Sequence, residues 1–164
     1  MIGRMRTSPL CLLGALVILM SAGLVVASAQ AEKAANAHGP ATQQPLYSDY
    51  KGVRIGMIAD EVRTKLGKPT MAADDQDYYI ISQTETVQIA YDDAHRAKAI
   101  SVDFIDGIGA PDYRTVVGQN IETNPDGSMH KLVNYDSLGF WVSYHRTAGT
   151  VPTVSITIQR ILKN

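Results

Sequence analysis

The stretch Arg54-Ile-Gly-Met-Ile-Ala-Asp-Glu-Val-Arg-Thr-Lys-Leu-Gly-Lys-Pro-Thr70 decides how the chain is read. A strand ends, Gly56 turns the backbone sharply, and one short helix follows over residues 59–66. Asp60 and Glu61 fall in its first turn, where the helix dipole favours acids. Val62 and Leu66 lie four apart on one face, with Met57 and Ile58 supporting its start. Gly67 ends the helix, and Pro69 forbids its resumption. A degraded copy comes later, where Ala110-Pro-Asp-Tyr-Arg-Thr-Val-Val-Gly118 lies over Ala59-Asp-Glu-Val-Arg-Thr-Lys-Leu-Gly67. Ala, Arg, Thr and Gly coincide, and an acid holds the third place in both. A helix-and-strands unit used twice is an architectural statement, not a catalytic one.

Outward from the first helix, three runs alternate apolar and polar residues. Asp77 to Ser82 is rich in tyrosine and isoleucine. In Thr86 to Tyr91, Val87, Ile89 and Tyr91 share one parity, and in Lys98 to Ile105 so do Ile100, Val102 and Phe104. Period two with one apolar face predicts an antiparallel sheet covered on one side. Asp92-Asp-Ala-His95 and Asp106-Gly-Ile-Gly109 punctuate the runs as turns. The second half repeats the order: a helical segment at 111–118, a strong turn at Asn124-Pro-Asp-Gly-Ser128, then strands at His130–Tyr135, Phe140–Arg146 and Thr153–Ile161. The expected architecture is α+β, two tandem helix-plus-antiparallel-meander repeats over about 47–106 and 107–162, with short helices on one face of the sheet.

Residues 1–29 read as a secretory signal. Arg4 and Arg6 precede a mostly apolar run from Leu10 to Val26, and Ala27-Ser-Ala29 suits a peptidase, so cleavage is expected after Ala29, with Ala31 second. An uncleaved anchor is the alternative, because the run approaches the length needed to span a bilayer, about 17–25 residues. Residues 30–46 are small, polar and broken by proline, and read as a flexible leader; His38 within it is an idle solvated residue. The whole chain has 15 Lys and Arg against 16 Asp and Glu. Removing residues 1–29 takes away two arginines and no acid, for a formal charge of −3. That mild acidity argues against nucleic acid as a partner. The single cysteine, Cys11, lies inside the signal, so the mature chain has no disulfide, thiol nucleophile or cysteine ligand.

The motif Gly-Met-x-x-x-Glu-Val-Arg-x-x-Leu-Gly-Lys-Pro followed by a meander resembles the SmpA/OmlA domain of outer-membrane assembly lipoproteins (the BamE-like family). That domain is similar in fold to the repeats of the secreted β-lactamase inhibitor protein. Gly56, Met57, Glu61, Val62, Leu66, Gly67 and Pro69 carry the likeness, and they are structural positions. Two features depart from the assembly lipoproteins. Cys11 follows Ser8-Pro9-Leu10 and stands at the start of the apolar run, with the rest of that run behind it, so it is not placed for lipidation. The tandem repeat leans toward the inhibitor-like arrangement, although no inhibitory contact residue transfers.

Common catalytic patterns are missing from the sequence: no Gly-x-Ser-x-Gly, no His-Glu-x-x-His, no phosphate-cradling glycine loop. Gly107-Ile-Gly109 precedes Pro111 and reads as a turn. Asp74, Asp75, Asp77, Asp92 and Asp93 lack the spacing of a calcium loop and read as solvated acids at turns and strand ends. His95, His130 and His145 lack zinc-ligand spacing, so no metal or cofactor is expected. A hydrolase assembled from Ser143, His145 and Asp103 is conceivable. The aromatics are more suggestive. Trp141, Ser143 and His145 share a strand parity opposite to Phe140, Val142 and Tyr144, and a tryptophan on an open sheet face is a common protein anchor. Tyr78 and Tyr79 must point to opposite faces, so only one joins such a patch.

The expectation is therefore a non-enzymatic, exported binding module of a bacterial envelope. Trp141, His145 and Tyr78 or Tyr79 are its candidate anchors, and another envelope or secreted protein is its partner. Its role would be assembly, or inhibition of a secreted enzyme. A small secreted hydrolase and a scaffold tethered by an uncleaved signal are the alternatives.

Overall fold

The computed structural model describes residues 44–118 and 121–162. The signal, its cleavage point and all but the last three residues of the leader lie outside the described residues. The described residues belong to one compact unit. In chain order its elements are α1 (Ala59–Leu66), β1 (Met71–Ala72), β2 (Gln76–Ile80), β3 (Glu85–Tyr91), β4 (Ala97–Phe104), α2 (Tyr113–Val117), β5 (Met129–Tyr135), β6 (Phe140–Arg146) and β7 (Val154–Arg160). Single 3-10 turns follow β4 and β5, at Ile105–Gly107 and Asp136–Leu138.

All seven strands form one antiparallel sheet in the order β1-β2-β3-β4-β7-β6-β5. Two meanders thus meet at the middle, where β4 pairs with β7 from Ala99 opposite Gln159 to Phe104 opposite Val154. Each meander then runs outward to its own edge. The α+β expectation is met in its coarse form: a sheet-dominated unit with two short helices. The strands fall within about a residue or two of the expected runs. The second helix is shorter than 111–118 and starts on Asp112, whose carboxylate accepts the Arg114 N–H at 2.8 Å. The two-residue β1 was not foreseen, and a bulge at Ala90/Tyr91 shifts the β3–β4 register.

The registers sort every strand into two faces. Asp77, Ile89, Ile100, Ile158 and Val142 make one cross-strand row. With Tyr79, Val87, Val102, Ile156, Phe104, Val154 and Tyr144 they form the covered face. Val62 of α1 and Val116 and Val117 of α2 are buried against this side, and Tyr113 meets Tyr144 edge to face at 6.2 Å. Burying these side chains is the main stabilising term, at roughly 1.5–3 kcal/mol for each large one.

The motif residues hold the fold together. Gly56 sits at φ +88° and donates its N–H to Ala97 O at 2.8 Å, while Met57 O accepts the Ala97 N–H. Ile58 has no side-chain acceptor to cap α1; the Glu61 carboxylate accepts the Ile58 N–H at 3.3 Å instead. Gly67, at φ +84°, returns its N–H to Arg63 O.

One expectation fails here. Asp77 is not a solvated acid: it is fully buried. Arg63 reaches down from α1 as a fork, Nε to Oδ2 and Nη2 to Oδ1, both 2.9 Å. Tyr91 Oη donates to the same carboxylate at 2.8 Å and Tyr79 Oη at 3.3 Å. A buried charge persists only when paired and hydrogen-bonded, and four donors meet that condition. Position 77 has core parity, so the strand carried the carboxylate inward, where the helix supplied its partner.

Candidate functional site

The other face of the sheet carries no helix among the described residues. Its three cross-strand rows follow from the registers. The first runs Gln76, Ala90, Ala99, Gln159, Trp141, Asn134. The second runs Tyr78, Gln88, Ser101, Thr157, Ser143, Leu132. The third runs Ile80, Thr86, Asp103, Ser155, His145, His130. Alternation places them there: on each strand these residues occupy the positions between the buried ones.

The rows are laced sideways. Gln88 Nε2 donates to Gln76 Oε1 at 2.7 Å, the hydroxyls of Ser101 and Thr157 meet at 3.1 Å, and Ser155 Oγ donates to Asp103 Oδ1. Asp103 is the only side chain in the three rows with a permanent charge, and Ser155 already satisfies part of its accepting capacity. Apolar surface is spread among the polar groups. Ile80 is 57 % exposed and Leu132 42 %, while Tyr78 and Trp141 are half-buried. Such a face desolvates cheaply compared with one studded with lysine and glutamate.

Three of the four candidate anchors lie on this face: Trp141, His145 and Tyr78. Tyr79 does not. It is 2 % exposed, with its ring in the core and its hydroxyl on Asp77, so it cannot anchor a partner. The three do not form one cluster. Trp141 and His145 are four residues apart on β6, about 13 Å, and Tyr78 is four strands from Trp141, about 19 Å. Contact with all three needs an extended partner surface.

Two features escaped the sequence. Across Gln159 from Trp141, Ala90 and Ala99 stand together in the first row and leave a depression of about 420 Å³, walled by Asp92, Asp93, Lys98, Gln159, Arg160 and Leu162. Arg160 is held there by Asp92 at 2.8 Å. The signal was two alanines at open-face positions, legible only once the strands are aligned. The second is His130, which stands opposite His145 with ring centres 5.9 Å apart.

A second cavity, about 370 Å³, lies at the start of α1 among Asp60, Arg63, Asp74, Tyr91 and His95. Arg63 there is committed to Asp77. The hydrolase alternative requires a histidine bonded to serine or aspartate. Among the described residues Ser143, His145 and Asp103 share the open face, yet no hydrogen bond joins the imidazole to either. Asp103 is two strands away from His145, about 10 Å. No group of three or more His, Asp or Glu positioned to hold a metal occurs among the described residues, nor does any helix long and apolar enough to cross a membrane. No family model, curated protein or solved structure matches the chain.

Proposed function

We propose that the chain is an exported, non-enzymatic protein-binding module of a bacterial envelope, working through the uncovered face of its sheet. Envelope assembly ranks ahead of inhibition of a secreted enzyme. The observation that carries the reading is the nearly neutral, hydroxyl- and amide-lined face spanning six strands, β2 to β7, with Trp141 and Tyr78 set into it. Three rows with one partnered carboxylate and no lysine or arginine, Lys98 and Arg160 standing only around the Ala90–Ala99 depression, suit an uncharged polar protein surface, with aromatic side chains supplying contact area at low entropic cost.

The same proposal takes the unit as two helix-then-meander repeats joined through β4 and β7. Supporting this, the aligned glycines return the same hydrogen bond, Gly67 N–H to Arg63 O at 2.9 Å and Gly118 N–H to Arg114 O at 3.0 Å, although Gly118 is a left-handed cap at ψ −4° and Gly67 leaves its helix at ψ −164°. Both glycines have positive φ, +84° and +70°. The strand order is also what two meanders paired antiparallel by their last strands would give. That arrangement builds one continuous face from two modest units, long enough to engage an extended partner.

The test places a photo-crosslinking side chain at Tyr78, Thr157 or Trp141 on the open face, and at Thr64 or Lys65 on α1. A discrete protein adduct from the open face alone supports the reading. Adducts of equal yield from α1, or none from the face, overturn it. Trp141→Ala is expected to melt within a few degrees of wild type and to lose the adduct formed at Thr157; a variant that fails to fold would make Trp141 a core residue.

A further inference from the structure

The β5–β6 hairpin brings two imidazoles together at one rim of the open face. We propose that His130 and His145 form a two-imidazole site for a borderline transition-metal ion, Cu²⁺, Ni²⁺ or Zn²⁺. The inference goes beyond the binding role above and does not depend on it.

Register makes the pair: His130 stands directly opposite His145, with both side chains exposed on the same face. Cross-strand neighbours hold their Cβ atoms about 4.5–5.5 Å apart, so the ladder fixes the two stems before any ion arrives. An ion about 2.0–2.1 Å from one nitrogen of each ring, at a tetrahedral angle, needs ring centres about 5 Å apart. The observed separation is 5.9 Å, with the planes at 64°. Closing that gap takes a small change of χ1 within its staggered well in each side chain, and rotation about χ2, which is broad and soft for histidine, then aims one nitrogen of each ring at the ion. Among the described residues no nitrogen of either ring is engaged in a hydrogen bond, so no bond is broken to free a lone pair.

The surroundings decide the class of ion. Neutral imidazole suits copper, nickel and zinc, whereas calcium and magnesium demand oxygen ligands in number. Asp103 lies in the same row but two strands from His145, about 10 Å away, and it accepts Ser155 Oγ. It adds a negative field without reaching the ion. Two protein ligands leave the remaining coordination positions to water or to a donor from a bound partner. The chelate comes from strand pairing, which is why no spacing along the chain announces it.

The experiment titrates the full-length protein calorimetrically with Cu²⁺, Ni²⁺, Zn²⁺ and Mg²⁺ separately. One ion per chain is expected, with Cu²⁺ tightest by the usual order of stability and no Mg²⁺ signal. His130→Ala and His145→Ala should each weaken Cu²⁺ binding at least tenfold, and the double variant little further, because either loss destroys the chelate. His38→Ala and His95→Ala should bind as wild type. Both rings of the pair are exposed, so these variants should fold. A second readout needs no substitution: Cu²⁺ should broaden the amide resonances of Leu132, Ser143 and Ser155 before those of α1. Binding that survives His130→Ala/His145→Ala, broadening centred elsewhere, or no uptake of any of the three ions overturns the proposal.

Discussion

Arg63→Met removes a charge that the core depends on while keeping an unbranched stem of similar reach. In the native fold Asp77 is fully buried and accepts four hydrogen bonds, two of them from Arg63. Breaking a buried pair by deleting one partner typically costs about 3–5 kcal/mol, because the other charge stays in a low dielectric. Two features reduce that here. Tyr79 and Tyr91 still donate to the carboxylate, and the Arg63 side chain is 38 % exposed, so part of its attraction is already screened by water. The expected loss is therefore about 2–3 kcal/mol, or roughly 6–12 °C in melting temperature for a unit of this size. Asp77→Asn keeps an acceptor for the tyrosines and removes the stranded charge, so it should cost less. Asp74→Ala and Asp75→Ala, exposed in the turn before β2, should lie within about 0.5 kcal/mol of wild type. Urea melts of the four variants decide the matter. Arg63→Met within 1 kcal/mol of wild type, or no worse than Asp74→Ala, would refute the view that this pair clamps the helix to the sheet.

The same cluster predicts alkaline behaviour. Burial first, then the charge of Asp77, pushes Tyr79 up to about 12, and burial with the Asp77 hydrogen bond drives Tyr91 higher still. A tyrosine whose folded value is raised stabilises the fold fully below its ordinary value near 10 and loses that contribution as pH climbs toward 12. Tyrosinate absorbance should therefore lag and then rise with unfolding; all tyrosines titrating together near 10 would contradict this. On the acid side, the Arg96 backbone N–H, then the Arg160 guanidinium, hold Asp92 below the usual carboxylate range. Its contribution is present above about pH 4 and fades as pH falls through the lowered value. Asp92→Asn should accordingly flatten the acid limb of a stability profile, and an unchanged limb would exclude that role. At the amino terminus, sequencing of exported protein should begin at Gln30; a start at Met1 would favour the tethered alternative.

How much of this was legible follows from what each feature depends on. α1 was readable to the residue because its signals are local: acids in the first turn, Val62 and Leu66 on one face, Gly67 and Pro69 at the end. Strand parity was equally local, so the sides of Trp141, Ser143, His145 and Phe140 could be assigned before any coordinates. Asp77 was misread because a polar residue at an inward position near a turn has the composition of a turn, and its partner lies on another element. The register could not be read at all. Whether β5 begins at Met129 or His130 relative to β6 is fixed by the tight turn over Asp136–Leu138 and the αL glycine after it, and a slip of one residue would separate His130 from His145. The Ala90–Ala99 depression has the same origin, since it exists only when β3 and β4 align as they do beside the bulge.

The edges of the sheet bear on which surface is free to act. An exposed strand edge is a template for pairing, and proteins blunt it with short strands or inward charges. One edge here is β1, two residues long. The other is β5, which places Lys131 at a covered-face position between Met129 and Val133. A partner adding a strand to β5 would have to accommodate that inward lysine, and β1 offers almost no ladder to extend. The face has no comparable guard: its one carboxylate is partnered, and its tyrosine, tryptophan, leucine and isoleucine stand among hydroxyls and amides. Strand addition and face docking therefore predict different footprints. A partner lying on the face should protect the side chains of Tyr78, Trp141 and Gln159 from labelling. A partner added at the edge should instead protect the backbone amides of β5. The guarded edges, together with the neutral rows, favour the first outcome, and protection confined to β5 amides would reverse that argument.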